Sequence, residues 1–388
     1  MDTTLTDRIE QWHAEGLIDG ATAERLRDWE SRQASSQGSR LGRLAFGFGG
    51  LLLAAGVLLF VAAHWTELSP WGRFGLLSAT VAALHLGGGL VASRSAALAT
   101  TLHAVGTAAL GAAIFLAGQA FNLAAHWPEG LLLWALGAAC GAWLLRDWPQ
   151  VLWLGVLVPA WLVSAWQAHV VEASRFVGRF DLDALAAPPA VGVFLGALAY
   201  LVAVGPRRAS DNRRALSRLG ALVLLPAGAA LAVVGVAFDG FGIAHDTAAI
   251  PAGWLVLGWG VAVAAPLVLG AGLRGRDAWP LVVAAVFAVA VTMFDGDGSA
   301  GLAAIHVAFL AACSGLAWWG LHDGQRLRIN VAVVGFALTV LSFYFSSLFD
   351  KLGRALGLIV LGALFLGGGW LLERTRRRLL DRIVGATP

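Results

Sequence analysis

Polar side chains are sparse in this sequence, and the few that interrupt its apolar stretches are the ones able to do chemistry. Seven fall into one set: His64 and Glu67, then Arg73, then Gln119, Asn122, His126 and Glu129. An arginine holds anionic groups through its fork of donors, a histidine near a carboxylate exchanges protons around neutral pH, and amides orient what binds. The set is a candidate ligand-binding site for a small molecule or lipid. A structural reading competes with it, in which Glu67 pairs with Arg73 and the amides cap helix ends.

A second group is the pair His85 and His103. Meeting on consecutive helices, they would suit a proton relay or a two-histidine metal site. No third ligand stands at a suitable spacing, so no metal is expected. Each ring is expected instead to bond a backbone carbonyl or a threonine such as Thr80 or Thr107. Lone His306 is expected to be satisfied locally. The run Asp295-Gly296-Asp297-Gly298-Ser299 lacks the length and terminal glutamate of a calcium loop and is read as a turn. Cys140 and Cys313 fall in apolar stretches, where a thiol acts as a small hydrophobe. No nucleophile stands beside a base, so no catalytic residue and no cofactor are expected, and an enzyme is disfavoured.

The elements that hold these side chains follow from composition. The 388 residues are 58% hydrophobic and only 13% charged, with 49 glycines and 17 tryptophans. Soluble domains carry about 25% charged residues, so the chain is expected to be an all-α, polytopic transmembrane bundle. Apolar stretches cover roughly 44–63, 74–92, 98–121, 130–145, 150–168, 189–205, 217–237, 251–273, 278–294, 300–320, 328–348 and 355–372, about twelve spans. Several are near the shortest length that crosses about 30 Å of hydrocarbon, the stretch 130–145 among them. Counting back from the ends of their spans, at about 1.5 Å per residue, puts His85 about 10 Å and His103 about 7.5 Å deep, at a similar level.

Arginine placement orients the spans, because cytoplasmic loops hold the excess of Lys and Arg. With twelve spans and both termini cytoplasmic, only Arg73, Arg175, Arg179, Lys351 and Arg354 of the 27 basic residues fall outside. The basic residues sit between spans rather than on one face, which excludes a nucleic-acid partner and leaves membrane lipids. Gly137-x-x-x-Gly141, Gly192-x-x-x-Gly196 and Gly353-x-x-x-Gly357 allow close helix approach. Ala173, Phe176, Val177 and Phe180 form one stripe within 170–186, which predicts a short interfacial helix.

Residues 1–38 are the one long polar stretch. Leu5, Ile9 and Trp12 recur at helical spacing, Gly16 breaks the run, and Asp19 can cap a second helix carrying Ala23, Leu26 and Trp29. A helical hairpin and its linker this small need a surface to dock on: the membrane domain, a second copy, or a protein partner. The remaining chain divides into a first six-helix half (39–205), a basic cytoplasmic loop (206–218), a second half (219–373) and a basic tail (374–388). Ser39-Arg40-Leu41-Gly42 recurs as Ser217-Arg218-Leu219-Gly220, which fits either a parallel repeat or chance.

Three stretches carry a family resemblance: Trp12-His13-Ala14-Glu15-Gly16-Leu17-Ile18-Asp19; Gly111 to Leu123 with Gln119, Asn122 and then Trp127; and Ser342-Phe343-Tyr344-Phe345 followed by a glycine-rich span and Glu373-Arg374-Thr375-Arg376-Arg377-Arg378. Together they resemble the membrane-protein family called domain of unknown function 2157. The resemblance implies a bacterial inner-membrane protein with a cytoplasmic hairpin, and no activity, substrate or cofactor. Two function classes lead: a transporter-like or ligand-binding protein using the outer polar set, and next a noncatalytic sensor or scaffold using the hairpin. A membrane enzyme on lipid-linked substrates ranks last.

Overall fold

The computed structural model describes residues 69–121, 127–177, 182–205, 209–237, 252–293 and 298–348, with shorter pieces before residue 69 and single positions after 348. The described residues are all-helical apart from turns. Eight helices among them are long and apolar enough to cross a membrane, and two more, at Ala186–Leu201 and Pro280–Met293, are apolar but shorter. The stretch 130–145 lies within one of the eight. The expected spans 44–63 and 355–372 lie mostly outside the described residues. The chain forms two compact units, Met1–Ala125 and His126–Pro388.

In the first unit, α1 (Pro70–Val91) and α2 (Ala96–Ala120) form an antiparallel pair. Each starts on a serine: Ser69 Oγ accepts from the Gly72 N–H at 3.1 Å, with Pro70 opening the helix, and Ser95 Oγ accepts from the Leu98 N–H at 3.3 Å. The link between them is only four residues, Ala92 to Ser95, so the chain must turn straight back. Leu77 and Ala113 are buried against one another's helices, while Leu86 and Leu90 stand 68% and 79% exposed. Leucines so exposed suit lipid as solvent.

Nearer the N-terminus, residues 12–14 are helical and the chain turns at Gly16, whose φ of +71° is one that glycine adopts without strain. The Leu17 N–H donates to the Trp12 carbonyl at 2.9 Å. Asp19 Oδ1 then accepts from the Thr22 N–H at 3.1 Å and opens the helical run 20–26. Ile9 and Ala23 are buried.

The second unit contains α3 (Trp127–Leu145), α4 (Trp148–Val177), α5 (Leu182–Leu201), α6 (Asp211–Ala237), α7 (Ala252–Arg274), α8 (Pro280–Met293), α9 (Gly298–His322) and α10 (Arg326–Phe343). Residues 170–177 do not form a separate interfacial helix: α4 continues through them unbroken, for 30 residues in all, and 178–181 lie outside the described residues. Pro159 lies within it without ending it, which packing against neighbouring helices tolerates.

Helix α5 is the centre of this unit. From Ala184 to Leu201 its residues are apolar except for Tyr200, as expected of a helix enclosed by others, and Val191, Leu195, Ala199 and Leu201 are completely buried. It packs on α4, α6, α7 and α8. Two close approaches make this possible. A Cβ on Gly192 would lie 3.3 Å from the Ala262 Cα on α7. A Cβ on Gly220 of α6 would fall inside contact distance of the Leu201 nitrogen and the Ala197 carbonyl oxygen, both backbone atoms that cannot swing away. In the same motif Ser217 Oγ–H donates to the Leu201 carbonyl at 2.8 Å. Ser217 and Gly220 thus both serve the α5–α6 contact.

Replacing Gly220 by alanine should therefore destabilise the protein by about 1–3 kcal/mol or more through overpacking, although alanine favours helix. Gly196, whose added Cβ would meet nothing within 4 Å, should accept alanine with little change. Thermal melts of both variants in detergent check the contrast; equal melting points would contradict the close approach.

Candidate functional site

Of the seven residues of the larger polar set, the structure describes Arg73, Gln119 and Glu129, the last exposed in the first turn of α3; His64, Glu67, Asn122 and His126 lie outside the described residues. Arg73 is half-buried in the first turn of α1, where its backbone N–H donates to the Ser69 carbonyl at 3.0 Å. Gln119 is exposed in the last turn of α2. Trp71 meets Phe121 edge-on at 4.9 Å between ring centres, and Phe74 joins both at 6.4 and 6.1 Å. This aromatic cluster ties the start of α1 to the end of α2, so Arg73 and Gln119 share one end of the pair. An arginine, an amide, and the positive end of the α1 dipole meet there beside exposed aromatic faces.

His85 and His103 lie near the opposite end, and they touch. Their Nδ1 atoms are 3.2 Å apart. Thr80 donates to the Leu76 carbonyl at 2.9 Å, and Thr107 to the backbone carbonyl of His103 at 3.1 Å. Each hydroxyl finds a carbonyl one turn back on its own helix, the local bond a threonine makes most readily there. Each ring lies over a glycine of the facing helix, His103 over Gly88 and His85 over Gly106. His306 is satisfied locally, with Nδ1 2.7 Å from the Leu302 carbonyl and Nε2 3.3 Å from Ser342 Oγ.

The third polar group was missed by sequence reasoning. Arg274 at the end of α7, Asp323 after α9 and Arg328 in the first turn of α10 form a buried ion cluster, with side chains only 4%, 3% and 1% exposed. Asp323 Oδ2 is 2.8 Å from Arg274 Nη2 and 2.5 Å from Arg328 Nη1. Both arginines also donate to α5's C-terminal end: Arg274 to the Val204 carbonyl at 3.2 Å, Arg328 to Val202 at 3.3 Å and to Val204. Gln325 Nε2 donates to the Gly205 carbonyl at 3.0 Å. The Arg328 guanidinium lies 5.0 Å from the Trp319 ring centre, a cation–π contact. Burial alone would raise the Asp323 carboxyl, but hydrogen bonds from Arg328 and His322 and the charges of Arg328 and Arg274 outweigh it and hold the group below its ordinary range. The available sequence signal was an acidic residue between basic ones at 322–328, in a loop whose arginines were counted only for the side they mark.

Among the described residues no three metal-ligating side chains cluster. A groove of about 690 Å³ along α7 is lined by Val256, Leu257, Val261 and Val268 among other apolar or glycine positions, and offers no polar chemistry.

The family model described as a predicted membrane protein, domain of unknown function 2157, matches residues 10–151. Two of the three resembling stretches fall inside that match, and the ending from Ser342 lies beyond it. No curated protein and no solved structure matches the chain.

Asp323→Ala should leave two buried guanidinium groups without their counter-charge, destabilising the fold by about 3–5 kcal/mol. Because the folded carboxyl is held low, its contribution is fully present above the unfolded value and is lost as pH falls through the folded one. Melts at neutral and strongly acidic pH should show that acid loss in the parent protein and a smaller one in the variant; equal acid sensitivity in both would count against the assignment.

Proposed function

We propose that this multi-pass membrane protein binds a small anionic molecule or a lipid headgroup at the outer ends of α1 and α2, in a transporter-like role. The observation that carries the reading is the Trp71–Phe121 contact, which gathers Arg73 and Gln119 at one end of the helix pair. His64, Glu67, Asn122 and His126 follow or precede these positions closely in sequence, and in the proposal they complete the site. A protein with twelve spans in a bacterial inner membrane, two six-helix halves joined at 206–218 and both termini in the cytoplasm accounts for the arginine placement. Reporter fusions after Arg208 and Arg378 should then read cytoplasmic and fusions near Ala184 and Asp297 periplasmic. A periplasmic signal at Arg208 would remove the six-plus-six arrangement.

A second reading, a noncatalytic sensor or scaffold, is favoured by one observation. Near the N-terminus Trp12 is 38% and Leu17 66% exposed, and in a cytoplasmic hairpin these apolar groups offer a docking surface to a second copy or a protein partner.

The binding reading and a purely structural pairing of Arg73 with Glu67 separate at Arg73. If it binds an anion, Arg73→Ala should abolish ligand-induced thermal stabilisation while the ligand-free melting point barely moves. If it only pairs with Glu67, exchanging the two residues should retain most of the stability, and the single changes to alanine should not be additive. A thermal-shift screen of anionic metabolites and lipid headgroups on these variants decides: no stabilisation of the parent protein, together with rescue by the exchange, would sink the binding site.

A further inference from the structure

The His85–His103 contact is built by both helices in the same way. Each histidine is followed three residues later by a glycine, Gly88 on α1 and Gly106 on α2, and residues three apart share a helix face. In the antiparallel pair each glycine receives the other helix's ring. A Cβ on Gly88 would stand 2.7 Å from His103 Cε1, and one on Gly106 would stand 2.9 Å from His85 Nε2. Two reciprocal slots therefore hold the rings.

The rings meet head-on. Their centres are 5.4 Å apart while the Nδ1 atoms are 3.2 Å apart. The difference is close to two centre-to-nitrogen radii laid end to end, so both Nδ1 atoms point along the line joining the rings. In that geometry one nitrogen donates and the other accepts, which the neutral pair satisfies only with opposite tautomers. The 3.2 Å separation is a hydrogen-bond distance, and no third metal-ligating side chain joins the pair among the described residues. The separation suits a proton.

We propose that His85 and His103 form a single proton-binding site inside the membrane, which takes up one proton from water and shares it between the two Nδ1 atoms. The proton converts a neutral imidazole pair into one imidazole and one imidazolium joined by a charge-assisted hydrogen bond. A second proton is opposed by the first at contact distance. On α1 and α2 the other ionisable side chain is Arg73, twelve residues before His85 and about 18 Å along the helix. Arg94 lies in the link after α1, and the expected span 44–63 has no ionisable residue in its sequence. The site lies six residues from Val91 and seven from Ala96, so protons reach it from that end across about 10 Å.

The test uses the full-length protein in lipid nanodiscs with ¹⁵N-labelled histidine. Acidification should load one proton onto the pair, with a nitrogen–nitrogen coupling across the shared hydrogen. His85→Gln should abolish the coupling and with it the shared proton. Gly88→Ala should do the same by displacing the His103 ring, while a helix-favouring substitution keeps the fold; its melting point and spectrum confirm folding. The proposal is overturned if the pair takes up two protons independently, if His103 titrates identically with and without His85, or if no proton is taken up before the protein unfolds.

Discussion

A helix enclosed on every side cannot send the carbonyls at its end to water, and α5 is such a helix. Four carbonyls between Leu201 and Gly205 are met by side chains from three directions: Ser217 from α6, Arg274 from α7, and Gln325 and Arg328 from α10. The requirement to satisfy buried backbone acceptors thereby fixes where α6, α7, α9 and α10 end. Two guanidinium groups suit the negative end of the α5 dipole, but they repel one another and are costly to bury. Asp323 resolves this by neutralising one charge while hydrogen-bonding both arginines. Arg328 also sits in the first turn of α10, where the dipole disfavours a cation; the carboxylate and the α5 carbonyls compensate.

This explains what could and could not be read from the sequence. Hydropathy marks the helices because a bilayer imposes a minimum apolar length, and each described expected span falls on a helix, although α4, α5 and α6 run six to nine residues past the expected bound at one end. Ser69 and Ser95 announce α1 and α2 by local chemistry, and counting residues inward brought His85 and His103 to one level. Asp323 was not legible because a charge census records the side of a loop and not its burial. Only the fold tells that a residue between two helices lies under the end of a third. Gly220 was visible as part of a recurring tetrapeptide, but its purpose depends on the α5 backbone, 19 residues earlier at Leu201. The segment 170–177 misled because an amphipathic stripe looks the same at the end of a long span as on a separate surface helix.

Glycine does two kinds of work in this chain, and distinguishing them separates scaffold from site. At Gly192 and Gly220 the missing side chain admits backbone, so the gain is close helix packing. At Gly88 and Gly106 it admits an imidazole, and the gain is a polar contact held within apolar surroundings. Packing alone would be served as well by an alanine facing an aliphatic side chain. Two rings fitted reciprocally into two gaps fix the orientation of both Nδ1 atoms, which an adaptable apolar contact has no need to do.

The polar chemistry of α1 and α2 is consequently divided between their ends. Arg73 and Gln119 stand at one, beside aromatic rings, and the histidine pair lies toward the other, with only apolar and hydroxyl side chains along the helices between. Between the two ends, α1 and α2 carry no polar side chains other than hydroxyls. Any coupling between the two ends must travel through the helix contact itself, as a shift of α1 against α2. The reciprocal slots make that contact sensitive to the state of the rings: in the proposed site the singly protonated imidazole–imidazolium pair holds the two helices by a stronger bond than the neutral pair. Taken together, the two proposals link protonation and ligand binding by packing, so that each would alter the other by the same factor.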